Sequence, residues 1–185
     1  MDAMLRRAPK SVIDGQMPQT PNNHSVIARA YAPSDQEACL ALFDSNVPTF
    51  FLPSERQDFA DFLAQQTKKW PYQVLERDGR IVGCGGFALE PDGSTAALCW
   101  GMVDSTLHGI GLGRILTEAR LRSAAATPGV LRVRLDTSQH TQGFYARFGF
   151  EALEVTQDGY GPGLDRWDML LRFDDRQRQF WQTDI

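Results

Sequence analysis

The chain is poor in the residues that metal centres and disulfide frameworks need, with three cysteines and three histidines among its 185 residues. Cys39, Cys84 and Cys99 are odd in number, far apart and set among apolar neighbours, the pattern of buried, reduced thiols in a cytoplasmic protein. His24, His108 and His140 have no metal-ligand spacing with cysteines or carboxylates, so no metal is expected. No apolar run approaches the length of a membrane span. Arg6 and Arg7 near the start have no apolar stretch behind them, which argues against a secretory signal. A net charge of −4 argues against generic affinity for nucleic acid or an anionic membrane, leaving room only for a local basic groove. What is present, 42% hydrophobic residues over this length, suits one globular domain with a sizeable core.

Residues 1–24 are polar and carry Pro9, Pro18 and Pro21, so they read as a flexible N-terminal arm. Residues 25–31 alternate and predict a first strand. Ser34 can cap a helix through about Ser45. Ser54-Glu55-Arg56-Gln57 has the form of a capping box and opens a second helix, with Phe59, Phe62 and Leu63 as its apolar stripe. Three strands are expected at 72–77, 81–89 and 95–103, the first two joined by an Asp78-Gly79 hairpin turn. A helix to about Thr127, a strand at 130–136, a short helix around Tyr145, a strand from Phe150 and a last strand at 167–173 complete the order β-α-α-β-β-β-α-β-α-β-β. Residues 174–185 are left as a C-terminal tail. No repeat and no second domain is seen.

The most informative stretch is His108-Gly109-Ile110-Gly111-Leu112-Gly113-Arg114, between the 95–103 strand and a helix-patterned segment. Strand, glycine turn and helix together present unpaired N–H groups and the positive end of a helix dipole to an anion, a diphosphate above all. The glycines let a phosphate approach the main chain. A P-loop would need Lys-Ser or Lys-Thr after Gly113, where Arg114-Ile115 stands. A dinucleotide fingerprint would need G-x-G-x-x-G and a downstream acid; the spacing here is G-x-G-x-G, and Gly129 to Val133 holds no acid.

The loop closely resembles the coenzyme A pyrophosphate loop of the GNAT superfamily of N-acetyltransferases, Q/R-x-x-G-x-G/A. Gly111 and Gly113 match, and His108 stands where Gln or Arg is usual. The segment from Thr137 to Glu151 is similar to a second family block, N-x-x-A-x-x-F-Y-x-x-x-G-F-E, with Ser138 and Thr141 in place of Asn and Ala. Within it Phe144 and Phe148 share a helix face, and Gly149 suits the helix end. The resemblance covers about residues 25–173. It implies an α/β (α+β) fold with a single mixed, mostly antiparallel sheet flanked by helices, and acetyl-CoA as co-substrate.

It also implies roles. The amides of Gly109, Ile110, Gly111, Leu112, Gly113 and Arg114, with His108, would hold the pyrophosphate. Gly101, Met102 and Val103 would meet the pantetheine arm on a bulged fourth strand, with Ser138, Thr141 and Tyr145 beyond it. A main-chain N–H near the bulge would polarise the thioester carbonyl. Tyr145, a phenol with an ordinary pKa of about 10, suits an acid for the departing thiolate. The strand-four glutamate that some members use as a base falls on Ala97, and no carboxylate lies between Ser94 and Val103. Glu55, acting directly or through water, a water chain, or no base for an amine already neutral are then the alternatives, and an acid in a helix's first turn such as Glu55 also serves the dipole.

For the acceptor, the resemblance points to the loop between the first two helices and the loop before the last strand. Asn46, Phe50 and Phe51 belong to the first; Tyr160 and Asp165 lie at the second, a glycine-rich loop at 159–163. Adjacent Phe50 and Phe51 cannot easily face one core. The implied function is acetyl transfer to a primary amine, of a small molecule or a peptide, by direct attack in a ternary complex. A non-catalytic acyl-CoA-binding module and transfer from a different acyl-CoA stay open, as does a homodimer.

Overall fold

The computed structural model describes residues 26–183; the expected N-terminal arm lies outside the described residues, as does Ser25, the first residue of the expected strand. A seven-stranded sheet has the order β1-β2-β3-β4-β5-β7-β6. Its strands are β1 (Val26–Ala30), β2 (Tyr72–Arg77), β3 (Arg80–Leu89), β4 (Thr95–Val103), β5 (Arg132–Ser138), β6 (Glu151–Gly161) and β7 (Leu164–Arg172). All neighbours are antiparallel except β4 and β5. The sheet is therefore mixed and mostly antiparallel, as the resemblance implies.

Helices α1 (Gln36–Asn46) and α2 (Arg56–Gln65) pack on one face. There Phe43, Phe59, Leu63 and Val74 are fully or almost fully buried together. The opposite face carries α3 (Leu112–Ala126), whose Leu121, Ala124 and Ala125 lie against Phe87, Ala96 and Val133. Burying one such large apolar side chain contributes about 1.5–3 kcal/mol. The Asp78-Gly79 turn is a two-residue hairpin, with φ of 52° and 74° and Arg77 opposite Arg80. Both positive values match the twist that a tight hairpin needs.

Several local expectations shift. The helix start belongs to Leu52 rather than Ser54: a 3-10 turn at Pro53–Glu55 precedes α2, and Glu55 Oε2 accepts from the Leu52 N–H at 2.7 Å. β5 begins at Arg132, two residues later than expected, because Val130 is turned into the core and donates to Thr127. β6 runs on to Gly161 and β7 starts at Leu164, so the glycine-rich segment is mostly strand with a tight turn at its end. A further helix, α5 (Asp175–Thr183), occupies the segment read as a tail. Arg178 and Gln182 each donate at 2.9 Å to the Ala125 carbonyl, a C-terminal group of α3 that otherwise lacks a helical donor. Among the described residues no helix is long and apolar enough to cross a membrane.

Candidate active site

The site is built where the sheet comes apart. The parallel β4–β5 pairing spans only Thr95↔Arg132, Ala96↔Val133 and Ala97↔Arg134, although β4 continues to Val103 and β5 to Ser138. β5 stays fully paired to β7 on its other side, and β4 to β3. From Leu98 onward β4 therefore turns an edge without a strand partner toward β5. The β3–β4 register also slips: Cys84 faces Met102 and Gly86 faces Cys99, so Trp100 and Gly101 together oppose Gly85. This is a bulge, and Trp100 accommodates it with φ of 44°. The Tyr72 hydroxyl holds the Trp100 carbonyl at 2.9 Å on the α1–α2 face.

The glycine loop follows β4. Gly109 and Gly111 have φ of 85° and 96°, and a Cβ on either would meet nothing within 4 Å. Only glycine adopts these angles without strain. α3 begins at Leu112, inside the glycine stretch, and its first bond runs from the Ile115 N–H to the Gly111 carbonyl. The N–H groups of Leu112, Gly113 and Arg114 precede that bond and point out of the helix start. Arg114 is exposed and paired with Glu118 at 2.7 Å. His108 sits 3.4 Å from the Val103 carbonyl, its ring 5.3 Å from that of Phe50. A free β4 edge leading to an open, donor-rich helix start fits an extended ligand with a diphosphate in it, as coenzyme A is.

Across the opening, Ser138 and Thr141 form the turn from β5 into α4 (Gln142–Ala146), with the Thr141 N–H bonded to the Ser138 carbonyl at 3.1 Å. Thr137 and Thr141 join through their hydroxyls. Tyr145 is half-buried, its ring edge-on to Phe144 and Phe150 at 5.0 and 5.8 Å. Phe144 and Phe148 meet at 5.2 Å, sharing a face as their spacing requires. Phe144 also reaches α3, lying 3.7 Å from where a Cβ on Gly113 would be. Gly149, with φ of 90°, ends the turn.

The acceptor candidates separate. Phe51 stacks on Phe43 at 5.1 Å inside the α1–α2 core, while Phe50 is half exposed beside the loop, so only one of the adjacent aromatics is free to line a pocket. Asn46 is buried and donates to the carbonyls of Leu42 and Val103, which ties the end of α1 to the end of β4 and occupies its amide. Tyr160 donates to Asp136; burial, then that carboxylate, pushes its phenol pKa up. Asp165 accepts from the Asp158 N–H at 3.0 Å within the β6–β7 hairpin. Glu55, with its carboxylate on the Leu52 N–H, is part of the α2 start.

Sequence reasoning missed an open surface pocket of about 310 Å³ beside α2 and the bulge, lined by Asp58, Asp61, Phe62, Gln65, Gln66 and Trp100. The spacing Asp58, Asp61, Phe62, Gln65 puts one polar and acidic stripe beside the apolar one, a signal that was available. Among the described residues no group of three or more His, Cys, Asp or Glu could hold a metal ion.

With this geometry in hand, comparisons place the chain. No curated protein matches the sequence significantly. Solved structures do match in fold. A GNAT-family protein from Desulfovibrio desulfuricans is 23% identical with a TM-score of 0.70, covering 80% of this chain and 99% of that one. A ribosomal-protein-alanine N-acetyltransferase from Brucella melitensis is 20% identical with a TM-score of 0.67, covering 80% and 99%. The yncA structure from Salmonella typhimurium, which includes its cofactor acetyl-CoA, is 20% identical with a TM-score of 0.67, covering 82% and 95%. The model of the acetyltransferase (GNAT) family matches residues 39–150, which takes in the bulge, the glycine loop and the Tyr145 helix. The chain therefore belongs to the GNAT family of acetyltransferases, enzymes that use acetyl-CoA as co-substrate.

Proposed function

We propose that this enzyme transfers the acetyl group of acetyl-CoA to a primary amine by direct attack in a ternary complex. The observation that carries the reading is the end of β4–β5 pairing at Ala97 and Arg134, next to a bulge and leading to the open helix start. Bound acetyl-CoA supplies an activated acyl group as a thioester. The free β4 edge from Leu98 to Val103 pairs the pantetheine arm, and the amides of Gly109 to Arg114 bind the pyrophosphate. Main-chain N–H groups at Gly101 and Met102 favour negative charge on the acyl oxygen. Tyr145 donates its hydroxyl proton to the departing sulfur.

The acceptor enters from the α2 side, through the pocket at Trp100. Asp58 and Asp61 favour an ammonium group there, and the rings of Phe62 and Trp100 suit a cation against their faces. Asp61 also accepts from Gln57 at 2.9 Å, which orients its carboxylate. One observation favours a pure acyl-CoA-binding module instead: β4 has no carboxylate, and that of Glu55 is held by Leu52. Free-thiol release from acetyl-CoA in the presence of a broad panel of cationic and neutral amines tests both. Release stimulated by a cationic amine is expected. Tight CoA binding with no stimulation by any amine contradicts transfer.

A further inference from the structure

α3 carries a charge that the proposed mechanism does not use. Arg120 is 3% exposed, and its Nε has no hydrogen-bond partner. Glu118, two residues earlier and so on a different side of α3, is held by Arg114 and Arg122, and none of the ion pairs among the described residues includes Arg120. Two glycines make room for the guanidinium. A Cβ on Gly85 of β3 would lie 3.2 Å from Arg120 Cδ, and one on Gly101 of the bulge 2.9 Å from Cζ. The cation thus packs against the main chain of the bulge at Gly101, where no side chain stands between it and β4.

A buried, unpaired cation is strongly unfavourable in a resting fold, and an apolar side chain of similar length would fill the space without that penalty. An anion arriving at the opening would offset it. The charge also reaches sulfur in this protein: burial pushes the Cys99 thiol up to about 12, and Arg120 acts in the opposite direction. Because the guanidinium is pressed against the Gly101 backbone, its geometry favours a charge acting through the bulge.

We propose that Arg120 is a positioning residue that acts through the Gly101 main chain to favour negative charge at the sulfur end of the co-substrate. The inference rests on the acetyl-CoA reading above. In the transfer a C–N bond forms and the C–S bond breaks, and sulfur leaves with the electron pair. An ammonium first loses one proton to solvent, the neutral amine that attacks loses a second, and the proton that sulfur takes from Tyr145 is returned to the phenol by solvent. A fixed cation beside the bulge stabilises the charge as it moves onto oxygen and then sulfur, without reorganising at that moment.

The test compares the affinity of CoA with that of desulfo-CoA by calorimetry across pH, in wild type, Arg120→Met and Arg120→Lys. Titratable groups on the surrounding elements include Tyr72, Glu76, Cys84, Cys99, His108, Glu118, Asp136, Tyr145 and Asp175, and all are kept in these variants. An opposite charge nearby favours the ionised thiol by about tenfold or more in its ionisation constant. Wild type should therefore prefer CoA over desulfo-CoA increasingly as pH rises. Arg120→Met should lose that preference by about tenfold, and Arg120→Lys should keep much of it. Arg120→Met should also be no less stable than wild type, which a purely structural arginine would not allow. An equal preference in wild type and Arg120→Met overturns the role of Arg120 while leaving the cofactor site intact. Failure of wild type to bind either compound overturns the acetyl-CoA reading itself.

Discussion

The guanidinium of Arg120 occupies the space that a side chain on Gly101 would need, with Cζ 2.9 Å from the Cβ position. Gly101→Ala must therefore push the arginine or the bulge aside. Overpacking of this kind costs about 1–3 kcal/mol. Denaturant unfolding of Gly101→Ala should show a loss in that range. In an Arg120→Met background the same substitution should be milder, since a flexible apolar chain can move. Equal losses in both backgrounds would show that the two residues are uncoupled.

The loop makes two separable demands. Gly111 has φ of 96° and open space where a Cβ would be, so Gly111→Ala brings backbone strain without a clash. Gly111→Asp adds a negative charge where the pyrophosphate is proposed to sit. Calorimetry should find CoA affinity for Gly111→Asp at least about tenfold below that of Gly111→Ala. Equal affinities for the two folded variants would remove the pyrophosphate from this loop.

Tyr145→Phe keeps the ring that packs on Phe144 and Phe150 and removes only the hydroxyl. If that hydroxyl protonates sulfur, the transfer rate constant should fall by about tenfold to a thousandfold. CoA affinity and melting temperature should change little. Pre-steady-state kinetics are needed, because slow product release would hide a chemical effect. An unchanged transfer step would make Tyr145 a packing residue.

Much of the fold was legible because the sequence punctuates it. The Asp78-Gly79 hairpin, the two CoA-type motifs and the strand before the loop all stand close to where spacing puts them. The bulge was legible through the family resemblance and through Gly101, a glycine inside a strand; that Trp100 shares it follows from the β3–β4 register, which needs both strands. α5 was hidden by composition, since its polar segment gains helical stability by docking Trp181 and bonding Ala125 of α3. Arg120 was hidden for a different reason. Four residues from both Leu116 and Ala124 it falls on the helix's apolar stripe, but a long cation is ordinarily placed in water, and only Gly85 and Gly101, far off in sequence, make room for it inside. The acceptor side was the least legible: the Asn46 amide is taken by the carbonyls of Leu42 and Val103, the carboxylate of the candidate base Glu55 by the Leu52 N–H, and the proposed acceptor pocket lies on the neighbouring helix.

Away from the site, Asp35 offers a test of the fold's electrostatics. Its buried carboxylate bonds Arg29 at 2.8 Å and accepts from the Ala32 N–H at 2.8 Å. The hydrogen bond from Arg29, against the opposing effect of burial, holds its pKa below the usual carboxylate value. The stability it contributes is therefore present above the ordinary pKa of about 3.9 and is lost as pH falls through the lower folded value. Asp35→Asn should cost about 1–2 kcal/mol at neutral pH, given that Arg29 is partly exposed. Denaturant unfolding should show the gap to wild type narrowing as pH falls below about 4. A gap independent of pH would assign the effect to packing.

Direct transfer of an acetyl group at the β4–β5 opening is most directly tested by a single turnover with isotope-labelled acetyl-CoA and the best amine from the panel. Mass spectrometry should find the label on the amine, with the protein unlabelled throughout. Label that stays on CoA, or that accumulates on the protein before reaching the amine, would contradict the account.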